Sequence, residues 1–179
     1  MNEIEVAAPL NTHESSLKIR VDVKAFNSNN ELTGIYNNEY DLGTIQLLGF
    51  ICTNILDAAE TIKDTGGTGR SITANSSNSA INIVAGTGTT AAAVSDYNLQ
   101  TQSAGSSGTI TGTVTAPSGS TFTVTGTITN SSGGTIAYSE VGIECTSATF
   151  VFLLAHDVFT ALNVSNGGTL AVTYTATIS

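Results

Sequence analysis

His156-Asp157 is the pair of neighbouring residues in this sequence best suited to acid–base chemistry. The pair lies in an apolar run that predicts a strand, and successive side chains of a strand point to opposite faces. The two side chains therefore cannot form the hydrogen bond that orients the histidine of a catalytic triad. His13 lies in an irregular acidic segment, and no Cys–His spacing indicates a zinc site. We predict no catalytic residues and no enzymatic activity.

Two glycine-rich stretches have features of nucleotide-binding loops. In Gly66–Ser71 the phosphate-loop pattern fails, because Asp64 occupies the position of the first glycine and Arg70 that of the lysine. Gly86–Gly88 begins like a dinucleotide-binding fingerprint, but Ala91 stands where the third glycine is required. We interpret both stretches as loops and predict no cofactor.

Carboxylates and tyrosines are the remaining candidates for ligand binding. Calcium prefers oxygen ligands, and the carboxylates considered for such a site are Asp64, Asp96, Glu3 and Glu5. Their spacing does not bring them together, so we predict no metal site and interpret them as solvating a neutral surface. The sequence has no tryptophan. The side chains that remain for stacking on a ligand such as a sugar are Tyr36, Tyr40 and Tyr97.

The composition argues against nucleic acid as a partner and favours strands. Only 11% of the 179 residues are charged, and the net charge is −9. Phosphate binding needs clustered basic side chains, whereas Lys18, Arg20 and Lys24 alternate along one predicted strand, and Lys63 and Arg70 stand alone. Threonine, which is β-branched and suits a pleated surface, replaces the missing charged residues.

Targeting signals and cysteine pairing are not indicated. The sequence begins at Met1 without a basic stretch followed by an apolar run, so we expect neither a signal peptide nor a cleaved leader. No stretch of about eighteen apolar residues predicts a membrane span. Cys52 and Cys145 lie far apart in apolar runs. We predict two buried free thiols, with a disulfide as the alternative.

Hydrophobic periodicity divides the chain into regions. Residues 1–15 are irregular and suit an arm that a neighbour orders, and strict alternation within 16–42 predicts a hairpin. Apolar positions in 43–62 recur at helical spacing and predict one short amphipathic helix, with a buried strand pair as the alternative. Residues 71–179 form short strands between Gly/Asn turns. We predict a single all-β domain over 16–179, an antiparallel β-sandwich of jelly-roll or Greek-key type.

One predicted strand within residues 71–179 differs from the others in its apolar content. Phe150–Phe159 is almost entirely apolar. Such a run predicts a central strand that is buried on both faces.

Several stretches of the sequence together resemble a family. Residues 86–99, GTGTTAAAVSDYNL, resemble a GTGTTAP…TDYxLE stretch of phage tail-fibre and other virion-associated proteins. FTVTGTITNSSGGTI, SEVGI and FLLAHDVFTALNVSNGGTLAVTYTATI follow in the same order as in that family. The resemblance covers roughly residues 45–179. The chain departs from it at Ala92, where proline is common, and at His156, where arginine is common.

The resemblance implies an assembly protein without catalytic residues. We therefore predict a virion structural protein, tail-associated or capsid-decorating, that self-assembles into a homo-oligomer and contacts other virion proteins in the particle. The side chains expected to mediate assembly are Ile4, Val6 and Leu10. The alternatives are a host-surface or carbohydrate-binding module of a virion, and a cellular fibre or surface-layer subunit.

Overall fold

The computed structural model describes residues 17–38, 42–56, 59–72, 78–147 and 149–178. The predicted arm, with Ile4, Val6 and Leu10, and also Tyr40 lie outside the described residues. In chain order the elements are β1 (Leu17–Phe26), β2 (Leu32–Asn38), β3 (Leu42–Gly43), α1 (Ile45–Leu56), β4 (Glu60–Lys63), β5 (Gly69–Ile72), β6 (Asn78–Gly86), β7 (Thr109–Thr111), β8 (Thr113–Ser118), β9 (Thr121–Thr129), β10 (Ile136–Ser147), β11 (Phe150–Val164) and β12 (Thr169–Ile178).

The strands form two five-stranded antiparallel sheets and a separate hairpin. The first sheet has the order β2-β1-β12-β9-β8, and the second has the order β3-β11-β10-β6-β7. The hairpin consists of β4 and β5. Strands β1 and β12 are neighbours although they stand at opposite ends of the described chain. The predicted all-β sandwich with one helix is confirmed.

Asparagine builds the turn between β1 and β2. The Oδ1 atom of Asn27 accepts hydrogen bonds from the backbone N–H groups of Asn29 (3.0 Å) and Glu31 (2.9 Å). Asn30 adopts a φ of 62°, a left-handed conformation that asparagine tolerates. The strands on either side pair antiparallel, as predicted.

The helix is shorter than predicted. Helix α1 ends at Leu56, so the alternative of a buried strand pair is wrong for Ile45–Leu56. The helical prediction is wrong at Gly43, which belongs to β3, and over Glu60–Ile62, because these residues belong to β4 and pair with β5. Ser71 and Ile72, which fall within the predicted run of strands over 71–179, belong to this hairpin too.

A buried aspartate explains why the chain forms a hairpin here. The Oδ1 atom of Asp64 accepts hydrogen bonds from the backbone N–H groups of Gly66 (3.0 Å) and Thr68 (2.9 Å). Its Oδ2 atom accepts one from Nε of Arg70 at 2.7 Å. These bonds fix the turn and place Ile62 against the helix, where a Cβ on Gly49 would overlap its side chain.

The main core lies between the two sheets and follows the predicted alternation. Sheet separation is small at Gly126, where a Cβ would lie 2.8 Å from Cγ2 of Ile110 and 2.9 Å from Cγ1 of Ile83. Each large apolar side chain buried there contributes about 1.5–3 kcal/mol. Core side chains include Val21, Val23, Ala25, Ile83, Ala85, Ile128, Tyr138, Val141, Val164, Leu170, Val172 and Tyr174.

Strand β11 is buried on both faces, as predicted. Phe152 packs with Cys145 and Phe50 in a second apolar cluster, whereas the next residue, Leu153, packs on the opposite face with Val84. Cys145 is a buried free thiol, and burial raises its pKa to about 11. The side chain of Cys52 lies outside the described residues. Within the described chain, no helix has the length and apolar character needed to cross a membrane.

Candidate functional site

An irregular segment covers the outer face of the second sheet. Residues 87–104, here called the covering segment, follow β6. Leu99 of this segment is buried against Val84 of β6 and Leu153 of β11. Gly142, in β10 between these two strands, leaves room for it, since a Cβ there would lie 3.2 Å from Cδ2 of Leu99. The apolar contact holds one part of the segment, and a polar cluster holds the rest.

Glu140 is the centre of this polar cluster. Its side chain is fully buried on β10. The carboxylate accepts hydrogen bonds from the backbone N–H groups of Gly88 (2.9 Å), Gln100 (2.9 Å) and Thr101 (2.7 Å), and it contacts Nε2 of His156 at 3.1 Å. Burial by itself would raise the pKa of Glu140, but these hydrogen bonds outweigh it and lower the pKa. Glu140 is therefore an ionised carboxylate that fastens both ends of the covering segment.

His156 lies between two carboxylates. Its Nε2 atom faces Glu140, and its Nδ1 atom lies 2.8 Å from Oδ2 of Asp96 in the covering segment. The ring is 1% exposed. Burial alone would lower the pKa of His156, but the bonds to Glu140 and Asp96 raise it. Both ring nitrogens face carboxylate oxygens, and this arrangement favours the doubly protonated ring, in which both nitrogens donate.

Asp96 also connects the cluster to the helix. Its Oδ2 atom accepts a hydrogen bond from the backbone N–H of Ala93 at 2.8 Å. Its backbone carbonyl accepts one from Nε2 of Gln46 at 2.6 Å, and the N–H of Ile45 donates to the carbonyl of Val94 at 2.8 Å. The covering segment is thus attached to β10, β11 and the start of α1. We call the trio Asp96, Glu140 and His156 the clamp.

The geometry of the clamp suits a structural role better than catalysis. A general base needs a free lone pair on its histidine, whereas both nitrogens of His156 lie within hydrogen-bond distance of carboxylates. Asp157 lies on the other side of β11, where it accepts hydrogen bonds from Oη of Tyr36 (3.0 Å) and Nδ2 of Asn38 (3.2 Å). The predicted separation of His156 from Asp157 is therefore confirmed. What the sequence analysis missed is that two distant carboxylates approach His156 instead.

The glycines of the Gly86-Thr87-Gly88 motif have a packing role in the clamp. A Cβ on Gly88 would lie 2.7 Å from Cδ of Glu140, and one on Gly86 would lie 2.5 Å from its Oε1 atom. A Cβ on Gly86 would also overlap the backbone carbonyl of Thr101. Both positions therefore require a residue without a side chain. The signals available in the sequence were these glycines and a glutamate placed in an otherwise buried strand.

The candidate stacking tyrosines are distributed over separate regions. The ring of Tyr36 stacks on Phe159 with centroids 4.8 Å apart, inside the sandwich. Tyr97 is half-buried in the covering segment, with Nζ of Lys63 5.4 Å above its ring and Gly67 against its edge. The structure does not bring Tyr36 and Tyr97 together on one surface.

The carboxylates considered for calcium already have protein partners. Asp64 is bound within its turn and to Arg70, which lowers its pKa, and Asp96 is bound to His156. Across the described residues, no group of three or more potential ligands converges on a metal site. Glu3 and Glu5 lie outside the described residues.

An apolar groove lies beside the helix. Its outer part, of about 220 Å³, is formed by α1 and the start of β1, and its inner part, of about 190 Å³, extends between the two sheets. Ile19 and Leu47 line both parts, so the two are adjacent. We call this feature the α1 groove. The residues that line it include Leu17, Leu48 and Ile51 in the outer part, and Val114, Phe122 and Leu154 in the inner part.

Comparisons with known proteins give no relative: no protein-family model, no curated protein and no solved structure matches the chain. The resemblance to phage virion proteins therefore stays a prediction.

Proposed function

We propose that the chain is a structural subunit of a phage-type virion, tail-associated or capsid-decorating, which works by self-assembly and contacts with other virion proteins. The proposal includes the absence of catalytic activity. Two features support that absence: the clamp uses His156 entirely in holding the covering segment, and Asp157 is engaged by Tyr36 and Asn38.

The uncovered apolar surface of the α1 groove carries the proposal. Leu48 of the helix is 58% exposed, and Val114 and Phe122 at the inner part are 52% and 41% exposed. Leu17, which lines the outer part, is 49% exposed and extends this surface along β1. Contiguous exposed apolar side chains mark protein–protein interaction sites. A subunit that meets copies of itself through this surface would bury it.

The rest of the molecule suits a particle component. Two sheets of long paired strands give a rigid scaffold, in which the pairing of β1 with β12 joins the two ends of the described chain. Threonines pair along the sheet, as at Thr121 and Thr177, whose hydroxyls lie 3.2 Å apart. Few surface charges oppose close packing of copies, because only 11% of residues are charged.

The carbohydrate-binding alternative receives less support from the geometry. Sugar platforms need an exposed aromatic face. Tyr36 has its ring against Phe159, and Tyr97 lies beneath Lys63. Neither ring is placed as an open platform, so we retain the assembly proposal.

Sedimentation of the full chain over a range of concentrations tests self-assembly. We expect an oligomer that Leu48→Glu weakens at least tenfold. Leu32→Glu is the matched control, since Leu32 is 51% exposed on β2 and does not line the groove. A monomer at every concentration, or equal effects of the two substitutions, would contradict the proposal.

Peptide mass spectrometry of purified phage particles tests the location. Particles should be induced from the organism that encodes the chain, and the chain should copurify in fixed ratio to the other particle proteins. Its absence from intact particles would remove the virion part of the proposal.

A further inference from the structure

The α1 groove has a shape that fits an extended apolar segment. Its outer and inner parts adjoin at Ile19 and Leu47, which line both of them. Gly43 widens the groove, since a Cβ there would lie 3.0 Å from Cδ2 of Leu47 and 3.5 Å from Cδ1 of Ile19. An extended segment can place alternate side chains into such a groove.

The N-terminal part of the sequence has the matching pattern. Ile4, Val6, Ala8 and Leu10 recur at period two, so they share one face of an extended segment. We propose that residues 4–10 of a neighbouring copy occupy the α1 groove, with this apolar face directed into it. This inference rests on the proposed self-assembly, which supplies the second copy.

The position of Leu17 makes a reciprocal exchange possible. Leu17 begins β1 and lines the outer part of the groove, so the preceding segment leaves each subunit beside its own groove. Leu17 lies seven positions after Leu10, a separation that spans up to about 23 Å in an extended chain. Two copies related by a two-fold axis through this region can therefore each insert a segment into the other.

Cysteine cross-linking of the full chain tests the inference. Leu10→Cys and Leu48→Cys are combined in a Cys52→Ala background, so that Cys52 cannot form a competing disulfide. Cys145 is retained, because it is buried. Under mild oxidation we expect a disulfide-linked dimer with two linkages, and mixing differently tagged chains before oxidation should give the mixed dimer. Pairing Leu10→Cys with Leu32→Cys is the matched control and should give at least tenfold less product.

Each outcome decides the inference. A disulfide within one chain, seen as a product of monomer size with altered mobility, would overturn the assignment to a neighbour. Equal yields with Leu48→Cys and Leu32→Cys would overturn the groove as the binding site. A disulfide that joins only the two copies of Leu48→Cys would overturn it too. Leu10→Asp provides a second measurement without cysteines, and it should raise the dissociation constant of the oligomer at least tenfold while thermal unfolding of the monomer stays unchanged. The specific dimer, formed by a chain that is absent from particles, would support the inference and remove only the virion proposal.

Discussion

The clamp and the α1 groove lie on two sides of helix α1 and differ in whether the same chain supplies partners for their side chains. At the clamp, Glu140 and His156 are buried and Asp96 is half-buried, and each of the three has partners supplied by the same chain. At the groove, apolar side chains such as Leu48 and Val114 remain exposed. The helix belongs to both regions, since Gln46 contacts the covering segment and Leu47 lines the groove.

The contrast indicates that the clamp stabilises the subunit, whereas the α1 groove is available to a partner. Buried charge is tolerated only when hydrogen bonds compensate its lost hydration, and the clamp is complete in this respect. Apolar surface has no such directional requirement, and any complementary apolar segment can cover it. Substitutions in the clamp should therefore change the free energy of unfolding, whereas substitutions in the groove should change association.

The largest effect is expected for Glu140→Ala. This change leaves Nε2 of His156 without its carboxylate partner and frees three backbone N–H groups of the covering segment. We expect a loss of about 3–5 kcal/mol in the free energy of unfolding, measured by urea denaturation. Glu60→Gln, a change at a half-buried carboxylate of β4, is the control and should have little effect. A loss no larger than the control would mean that the clamp does not hold the covering segment.

The next largest effect concerns Glu144, which lies on the same face of β10 as Glu140. Burial raises its pKa to about 7 from 4.5. The folded state therefore binds this proton more tightly than the unfolded state, and stability falls as the pH rises from about 4.5 to 7. Above pH 7 the ionised carboxylate costs about 3 kcal/mol at 1.36 kcal/mol per pKa unit.

Glu144→Gln removes that cost. We expect the variant to be more stable than the parent at pH 8 and similar to it at pH 4.5, in urea denaturation at both values. Equal stability at pH 8 would show that Glu144 has a compensating partner, and the contrast between it and Glu140 would then disappear.

A smaller effect is expected for Gly86→Ala. The new Cβ overlaps the carbonyl of Thr101 and lies within 2.5 Å of Glu140, so the covering segment must shift. We expect a loss of about 1–3 kcal/mol in thermal or urea unfolding. Gly134→Ala is the matched control, because nothing lies within 4 Å of a Cβ at that position. If both variants behave alike, the close approach at Gly86 does not matter for stability.

The smallest effect on stability belongs to the groove. Leu48→Ser should change the free energy of unfolding of the monomer by less than about 0.5 kcal/mol, since its side chain is mostly exposed. The same substitution should reduce association in sedimentation measurements. A large loss of monomer stability would show that Leu48 belongs to the core, and the division between the two regions would fail.

Local sequence determined most of the sheet structure. The alternation of Leu17–Ala25 and of Thr169–Ile178 fixed which side chains face inward, because a strand has a strict period of two. Turn residues such as Asn27 acted through contacts within four residues. The end of the helix was less well determined, since the turn at Asp64 depends on Arg70 and on packing of Ile62 against Gly49.

Only the tertiary structure decided the site. The sequence shows His156 beside Asp157, but the partners of His156 are Asp96 and Glu140, which lie 60 and 16 residues away. Their approach depends on the register of β10 against β11 and on the path of the covering segment, and both are set by packing of distant residues such as Leu99 on Leu153. Periodicity assigns a side chain to a face, but which other side chains reach that face is fixed only when the sheets assemble.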